Sequence, residues 1–550
     1  MEKPWLKQYP STIPAIVEIP EKPLFSLLAE GALKHRDRTA LIFFGKKISY
    51  ATLQDMVERF AGGLVKLGLK KGDRVSIMLP NMPQFVIAFY AALKVGATVV
   101  QTNPLYTEHE LEEILRDSGA QTIITLDRFY PKIQHIREKT KLKRVILSRV
   151  ESFLPLAKKI LLRAKWKLTR ESIPQIPNEP EAYDFDKLLS EPASPLPDIP
   201  INPKEDIAIL QYTGGTTGTP KGAMLTHYNL MANAMQNKAW FPNAREGQEA
   251  VLAVAPFFHV YGMTIAMNLP LSYGSTLVLI PRFDIDEMLK AIDRYKPTLF
   301  PGVPTLYIAI NNHPKAKHYD LSSLRECISG SASLPSEVRE KFEKMTGAIL
   351  VEGYGLSEAS PVTHSNILDS KQVPGSIGVP LPSTEARVLN LETGQPANIG
   401  ESGELLIRGP QIMKGYWNKP EATRATITPD GWLHTGDVAT MDVNGYFFIV
   451  DRLKDMINCS GLKVYPKEVE EVLYRHPKVR EAAVLGVTDS YRGETVKAVI
   501  VLQPDTTLTE QEIIEFCSES LAKYKIPKII EFRSELPKSA VGKILKRNLK

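Results

Sequence analysis

Two stretches of the chain, residues 49–127 and 206–352, alternate helix-period and strand-like patterns. That alternation restricts them to layered α/β architecture with largely parallel strands. In the first stretch, Leu53, Met56, Val57, Phe60 and Leu64 recur at helical spacing. The Gly68 and Lys71-Gly-Asp73 breaks then precede the strand-like Arg74-Val-Ser-Ile-Met-Leu79. Thr107 and Glu110 have capping-box spacing before Leu111, Ile114 and Leu115, and Gln121-Thr-Ile-Ile-Thr125 reads as the next strand.

At 550 residues the chain exceeds what one compact core accommodates, so two or more domains are expected. Residues 143–203 carry a looser pattern with clustered prolines and read as an insertion with an extended linker. Short strand-like runs such as Ala386-Arg-Val-Leu389 and Gly403-Glu-Leu-Leu-Ile407 indicate a β-rich part. After Asp451 the pattern becomes that of a small α+β unit: Pro466 opens a helix, and another spans 510–521. The expected fold is therefore α/β. A large N-terminal domain, 1–451, has layered sheets and a β-rich part, and a small C-terminal domain, 452–550, follows it.

Composition narrows the function classes. The net charge of +6 is mild for this length and suits anionic small molecules or an anionic membrane surface without demanding nucleic acid. Three separated cysteines, Cys327, Cys459 and Cys517, argue against a disulfide framework or structural zinc site and suit a reducing cytoplasm. Residues 1–13 lack the apolar segment of a signal peptide, and no long uncharged apolar run suggests a membrane span. If residues 153–170 are helical, Phe153, Ala157, Ile160, Leu161, Ala164 and Leu168 share a face flanked by six basic residues and no acidic one. Such a helix can lie on anionic lipid or pack on the domain with its basic face solvated.

The densest chemical signal is Tyr212-Thr-Gly-Gly-Thr-Thr-Gly-Thr-Pro-Lys-Gly222, following the strand-like 207–211. Gly214, Gly215 and Gly218 let backbone N–H groups approach an anion closely. Thr213, Thr216 and Thr217 add hydroxyls, and Lys221 adds a point charge suited to phosphate. Lys221 follows Pro220 and precedes Gly222, so this is not a Walker A loop. The dinucleotide-fold, nucleophile-elbow and zinc-protease motifs are also absent from the sequence.

This loop resembles the phosphate-binding signature of the adenylate-forming superfamily of acyl-CoA synthetases, luciferases and adenylation domains. Six further blocks match in order: Phe257-Phe-His-Val-Tyr-Gly262, Ser329-Gly-Ser-Ala332, Gly353-Tyr-Gly-Leu-Ser-Glu358, Gly431-Trp-Leu-His-Thr-Gly-Asp437, Asp451-Arg-Leu-Lys-Asp455 and Pro537-Lys-Ser-Ala-Val-Gly-Lys543. The stretch from Gly431 to Glu470, including Ser460-Gly-Leu-Lys-Val-Tyr-Pro466, is most similar to long-chain fatty acid–CoA ligases.

The resemblance implies ATP, Mg²⁺ and coenzyme A as small-molecule partners and a fatty acid as substrate. It assigns Thr213 and Glu358 to the metal, Gly330, Ser331, Ala332 and Tyr354 to the adenine pocket, and Asp437 and Arg452 to further nucleotide contacts. His259 falls between the phosphate and acyl sites. Lys543 matches the lysine that neutralises charge during adenylation, Lys454 matches the hinge of a mobile small domain, and Gly461 and Lys463 match the thiol-side surface. Gly302, Val303 and Tyr307 match the acyl tunnel, although core packing explains apolar residues there equally well. Met263 stands where some long-chain ligases carry a gating tryptophan.

The implied activity is two-step fatty acid–CoA ligation by a cytoplasmic enzyme, with a peripheral position at the membrane's inner face left open. A homodimer is left open. A ligase for medium-chain or aromatic acids and a catalytically idle nucleotide- or acyl-binding protein are the alternatives.

Overall fold

The computed structural model describes residues 3–169, 176–192, 196–213, 220–368, 372–459, 462–489, 493–539 and 544–549, with side chains undescribed for 165–169. Among the described residues four sheets form. One, of nine strands, has Ile349–Gly355, Glu326–Ser329, Leu299–Gly302, Ala250–Ala253, Thr276–Leu279 and Thr39–Phe43 in successive parallel pairing. A second, of eight, centres on Ile207–Thr213, Thr98–Gln101, Arg74–Met78, Thr122–Leu126 and Arg144–Ser148, again parallel.

Helices cover these sheets, which buries the strands on both faces and explains their unbroken apolar runs. Pro83–Lys94, with eleven buried residues, is buried on every side. The Thr107–Glu110 capping box forms and opens Glu108–Ser118 as the sequence indicates. A second box, Thr226 with Asn229, starts His227–Trp240.

One local difference from the sequence reading matters. Residues 143–203 are not simply insertion and linker: Arg144–Ser148 and Ala182–Asp184 extend the eight-stranded sheet, and the helix Leu156–Thr169 lies between them. Arg144–Ser148 is too short to stand out beside the proline-rich run. Beyond the glycine-rich segment, Lys221–Thr226 pairs antiparallel with Ile207–Thr213 before the helix His227–Trp240 begins, so the segment joins two paired strands.

The β-rich part is an antiparallel sheet of Glu385–Leu389, Gly403–Arg408, Leu433–Met441 and Phe447–Arg452. Beyond it, Val479–Asp489 and Gly493–Leu502 pair over ten register positions in a further sheet with its own core around Ile457, Val469, Leu473 and Ile513. Pro466–Tyr474 and Glu510–Ser518 are its helices.

Candidate active site

Thr213, Gly302, Gly330–Ala332 and Glu358 sit at or just beyond the carboxyl ends of the parallel strands, where open α/β sheets expose loops to ligands, whereas Asp437 and Arg452 come from the antiparallel sheet. Thr213 ends its strand directly opposite Lys221 in the hairpin, and the Thr213 hydroxyl is 3.4 Å from the Lys221 carbonyl. The base of the hairpin is pinned through Asp117. Its Oδ2 accepts from the Tyr212 hydroxyl at 2.6 Å, and its backbone carbonyl accepts from the Trp417 indole at 3.1 Å. Gly214, Gly215, Thr216, Thr217 and Gly218 fall outside the described residues, as do Gly461 and Lys543.

Lys221 and Glu358 are brought together through an aromatic residue the motifs did not name. The Lys221 ammonium lies 5.2 Å from the centroid of the Tyr416 ring, and the Tyr416 hydroxyl donates to Glu358 Oε1 at 2.7 Å. Tyr416 arrives on Gly415–Tyr416, a two-residue strand paired with Lys221–Thr226. Burial and the Glu358 carboxylate both raise its hydroxyl pKa. Glu358 rides on the single turn Ser357–Ala359, and its carbonyl accepts from Met413 N–H at 2.8 Å. A lysine, a threonine and a carboxylate around one hairpin form an oxygen-rich, mixed-charge site. One carboxylate and one hydroxyl fit Mg²⁺, which takes few protein ligands and completes its shell with phosphate and water.

Four residues before Glu358, Tyr354 is half-buried and donates its hydroxyl to Asp437 Oδ2 at 2.6 Å. Burial and the Asp437 charge hold that hydroxyl well above the usual tyrosine range. Asp437 faces Arg452 across two antiparallel strands, with Arg452 Nε 3.5 Å from Asp437 Oδ1. Gly330, Ser331 and Ala332 leave the neighbouring strand Glu326–Ser329, and Ser331 adopts φ of +71°, a left-handed turn that aims the chain across the sheet's edge. A side chain at Gly330 would press on the Tyr261 ring at 3.2 Å, so the ring would have to give way for any larger residue there. Glu352, also absent from the sequence assignments, accepts from Leu334 N–H at 3.2 Å, and burial pushes its carboxyl up to about 7.

His259 caps the short helix Val260–Met263, its Nδ1 accepting from Tyr261 N–H at 3.3 Å. Met263 is fully buried, and its sulfur accepts from Gln101 Nε2 at 3.1 Å. Tyr307 is fully buried against Phe300 and Phe342, with its hydroxyl on the Phe300 and Ile328 carbonyls at 2.8 and 3.1 Å. Val303 lies in the same core, and the Gly302 carbonyl accepts from Gly330 N–H at 3.1 Å. Tyr307 and Val303 thus have the packing surroundings that the sequence weighed against an acyl-site role.

At the junction, Asp451 Oδ1 accepts from Arg452 N–H at 2.7 Å and Oδ2 from Lys467 N–H at 2.6 Å. Lys454 has its ammonium pKa lowered by burial and by the nearby Arg452 guanidinium. Lys463 reaches outward to the exposed Glu392, with Nζ 3.4 Å from Oε1.

Residues 28–417 match the family model of the AMP-binding enzyme, and residues 468–543 match that of the AMP-binding enzyme C-terminal domain. A long-chain-fatty-acid–CoA ligase of Bacillus subtilis (strain 168) is 50% identical across 100% of this chain and 98% of that protein. One from Yersinia pestis is 43% identical over the same shares. Among solved structures, ATP-bound MatB from Rhodopseudomonas palustris superposes with a TM-score of 0.83 at 29% identity, covering 96% of this chain and 98% of that one. The anthranilate CoA ligase AuaEII with anthranoyl-AMP gives 0.84 at 29% identity over 96% and 97%.

Proposed function

The chain belongs to the AMP-binding enzyme family, and on that premise we propose how its residues divide the work of a fatty acid–CoA ligase. The enzyme uses ATP, Mg²⁺ and coenzyme A. It activates a fatty acid to an acyl-adenylate and transfers the acyl group to coenzyme A, giving acyl-CoA, AMP and pyrophosphate. In the first step a carboxylate oxygen bonds to the α-phosphorus and pyrophosphate leaves. In the second the CoA sulfur bonds to the acyl carbon, its proton is released and AMP departs.

The observation that best supports this division is the segment from Tyr354 to Glu358. Its first residue is tied to Asp437 and its last, through Tyr416, to Lys221. One rigid stretch therefore sets the spacing between a nucleoside-holding end and a phosphate-holding end. Asp437, held by Tyr354 and Arg452, presents a fixed carboxylate to ribose hydroxyls. Lys221 and the glycine-rich hairpin cradle the phosphates, and Glu358 with Thr213 holds the metal. Bound Mg²⁺ supplies neutralisation of phosphate charge. Lys543 stabilises the charge that develops in adenylation. The small unit, 452–550, then turns about Lys454 to bring Gly461 and Lys463 to the thiol side.

Half-reaction assays test this division. Lys543→Ala should lower adenylation by ~10²–10³ while still making thioester from supplied acyl-adenylate. Gly461→Leu should spare pyrophosphate exchange and block thioester formation, because a side chain there obstructs close approach of a ligand to backbone. Equal loss of both steps in both folded variants would contradict it.

The enzyme is further proposed to act as a cytoplasmic protein that touches an anionic membrane through Leu156–Thr169. Ile160 and Leu161 of the face indicated by sequence are 59 and 68% exposed and Leu156 beside them 74%, so they are not packed on the domain, whereas Phe153 precedes the helix and is buried. Arg163 forms a bidentate ion pair with the buried Glu151, at 2.9 and 2.7 Å, which anchors the helix to the body. Lys158 lies over the Phe44 ring. No helix among the described residues is long and apolar enough to cross a membrane.

A further inference from the structure

In the antiparallel sheet Glu404 pairs with Val438 and Leu406 with His434, so Thr435, Gly436 and Asp437 stand together opposite Leu405 alone. A bulge of this kind lifts its residues out of the ladder and leaves backbone groups that the neighbouring strand does not pair. Side chains take them up here. Glu404 Oε1 accepts from Gly436 N–H at 3.1 Å, and Oε2 lies 2.9 Å from His434 Nδ1. The Thr435 hydroxyl donates to the Leu405 carbonyl at 2.6 Å and accepts from Asp437 N–H at 3.1 Å. Gly436 takes φ of +70°, which glycine adopts without strain, and its carbonyl accepts from Leu453 N–H at 2.9 Å. The bulge is thus clamped to Glu404 on one side and to the residue before Lys454 on the other.

We propose that Glu404, acting with Thr435, is a positioning residue for adenylation: it does not meet the nucleotide but fixes the bulge that presents Asp437 to the ribose. The inference rests on the reading of Asp437 as the ribose carboxylate and adds to it what sets that carboxylate's place. Tyr354 and Arg452 hold the Asp437 side chain, whereas Glu404 and Thr435 hold the backbone that carries it. The Glu404 side chain is 12% exposed and both of its oxygens are engaged within the protein, one at Gly436 and one at His434. Without it the Gly436 N–H loses its acceptor, and the bulge is free to relax toward regular pairing with Gly403–Arg408. A slip of one position in a strand carries a side chain to the opposite face of the sheet. A displacement of even about 1 Å is enough to weaken a contact that depends on orientation.

The test measures palmitate-dependent pyrophosphate exchange by the full-length enzyme with ATP, 2′-deoxyATP and 3′-deoxyATP. Wild type should prefer ATP over at least one deoxy analogue by roughly ten-fold or more in kcat/KM, and Asp437→Ala should bring that preference close to one. Glu404→Ala should do the same, with KM for ATP rising roughly ten-fold and exchange with the deoxy analogue little changed. Glu404→Gln should retain most of the preference, because its carbonyl can accept from Gly436 N–H while its amide donates to His434 Nδ1. A purely structural role would lower exchange with all three nucleotides alike and leave the preference intact, and that result in folded Glu404→Ala overturns the inference. If Glu404→Ala does not fold, Thr435→Val keeps the side chain's shape but loses both of its hydrogen bonds, and an intact preference there overturns it. A preference that collapses in Asp437→Ala but survives Glu404→Ala refutes the positioning role alone. A wild type without preference, or one whose preference survives Asp437→Ala, refutes the ribose reading as well.

Discussion

The Tyr354 hydroxyl donates to Asp437 Oδ2 at 2.6 Å, while Oδ1 of the same carboxylate lies 3.5 Å from Arg452 Nε. Asp437 is thereby fixed from both sides: its side chain is 13% exposed, so a ligand meets a carboxylate already oriented. A hydrogen bond to a charged group contributes about 1.5–3 kcal/mol. Tyr354→Phe should therefore raise KM for ATP by roughly ten-fold or more in pyrophosphate exchange, with the fold retained. An unchanged KM would remove this pair from the nucleotide site.

Glu358→Gln keeps the hydrogen bond from Tyr416 and the shape of the turn but removes the negative charge. Adenylation should fall by about two orders of magnitude, and the Mg²⁺ concentration needed for half-maximal rate should rise. Circular dichroism and the thermal midpoint should stay near wild type. A variant with normal activity at limiting Mg²⁺ would place the metal elsewhere.

Glu352 gives the fold a pH dependence whose sign is fixed by burial. Its carboxyl pKa is raised from 4.5 to about 7, so between those values the folded state holds a proton that the unfolded state has released. This contribution is fully present below the unfolded value and is lost as pH rises through the folded one. Glu352→Gln cannot ionise, so the difference in Tm between variant and wild type should shift in the variant's favour from about pH 5 to about pH 8. A constant difference across that range would mean Glu352 is already ionised at the lower pH.

Binding to phosphatidylglycerol vesicles should be salt-sensitive and weak on neutral phosphatidylcholine. Lys158→Glu with Lys159→Glu should abolish it, and Leu156→Ser with Ile160→Ser should weaken it at any salt concentration. Arg163 is better left in place, because its ion pair with Glu151 holds the helix. Sedimentation that ignores lipid charge and both double variants would exclude this surface.

Much of this architecture is legible in the sequence because local chemistry specifies it. Arg74–Met78 and Thr122–Leu126 fall within a residue of the strands read from pattern, and the Thr107 capping box is present. The residues proposed to contact the nucleotide were legible as contiguous motifs. Tyr416, Tyr261 and Glu352 were not singled out. Tyr416 reaches Glu358 across 58 positions through sheet pairing, and Tyr261 reaches Ile328 across 67. Glu352 looks like any strand-borne carboxylate until its surroundings are known. The strand opened by Lys221 was hidden because Gly222 and Ala223 carry little strand signal, and its partner lies on the far side of the glycine-rich loop.

The central claim is that this chain joins a fatty acid to coenzyme A through an adenylate, and product stoichiometry tests it most directly. Purified enzyme with palmitate, ATP, Mg²⁺ and coenzyme A should yield palmitoyl-CoA, AMP and pyrophosphate in equal amounts. Without coenzyme A, it should exchange labelled pyrophosphate into ATP only when palmitate is present. Formation of ADP and phosphate, or pyrophosphate exchange indifferent to palmitate and to every other fatty acid supplied, would contradict the account.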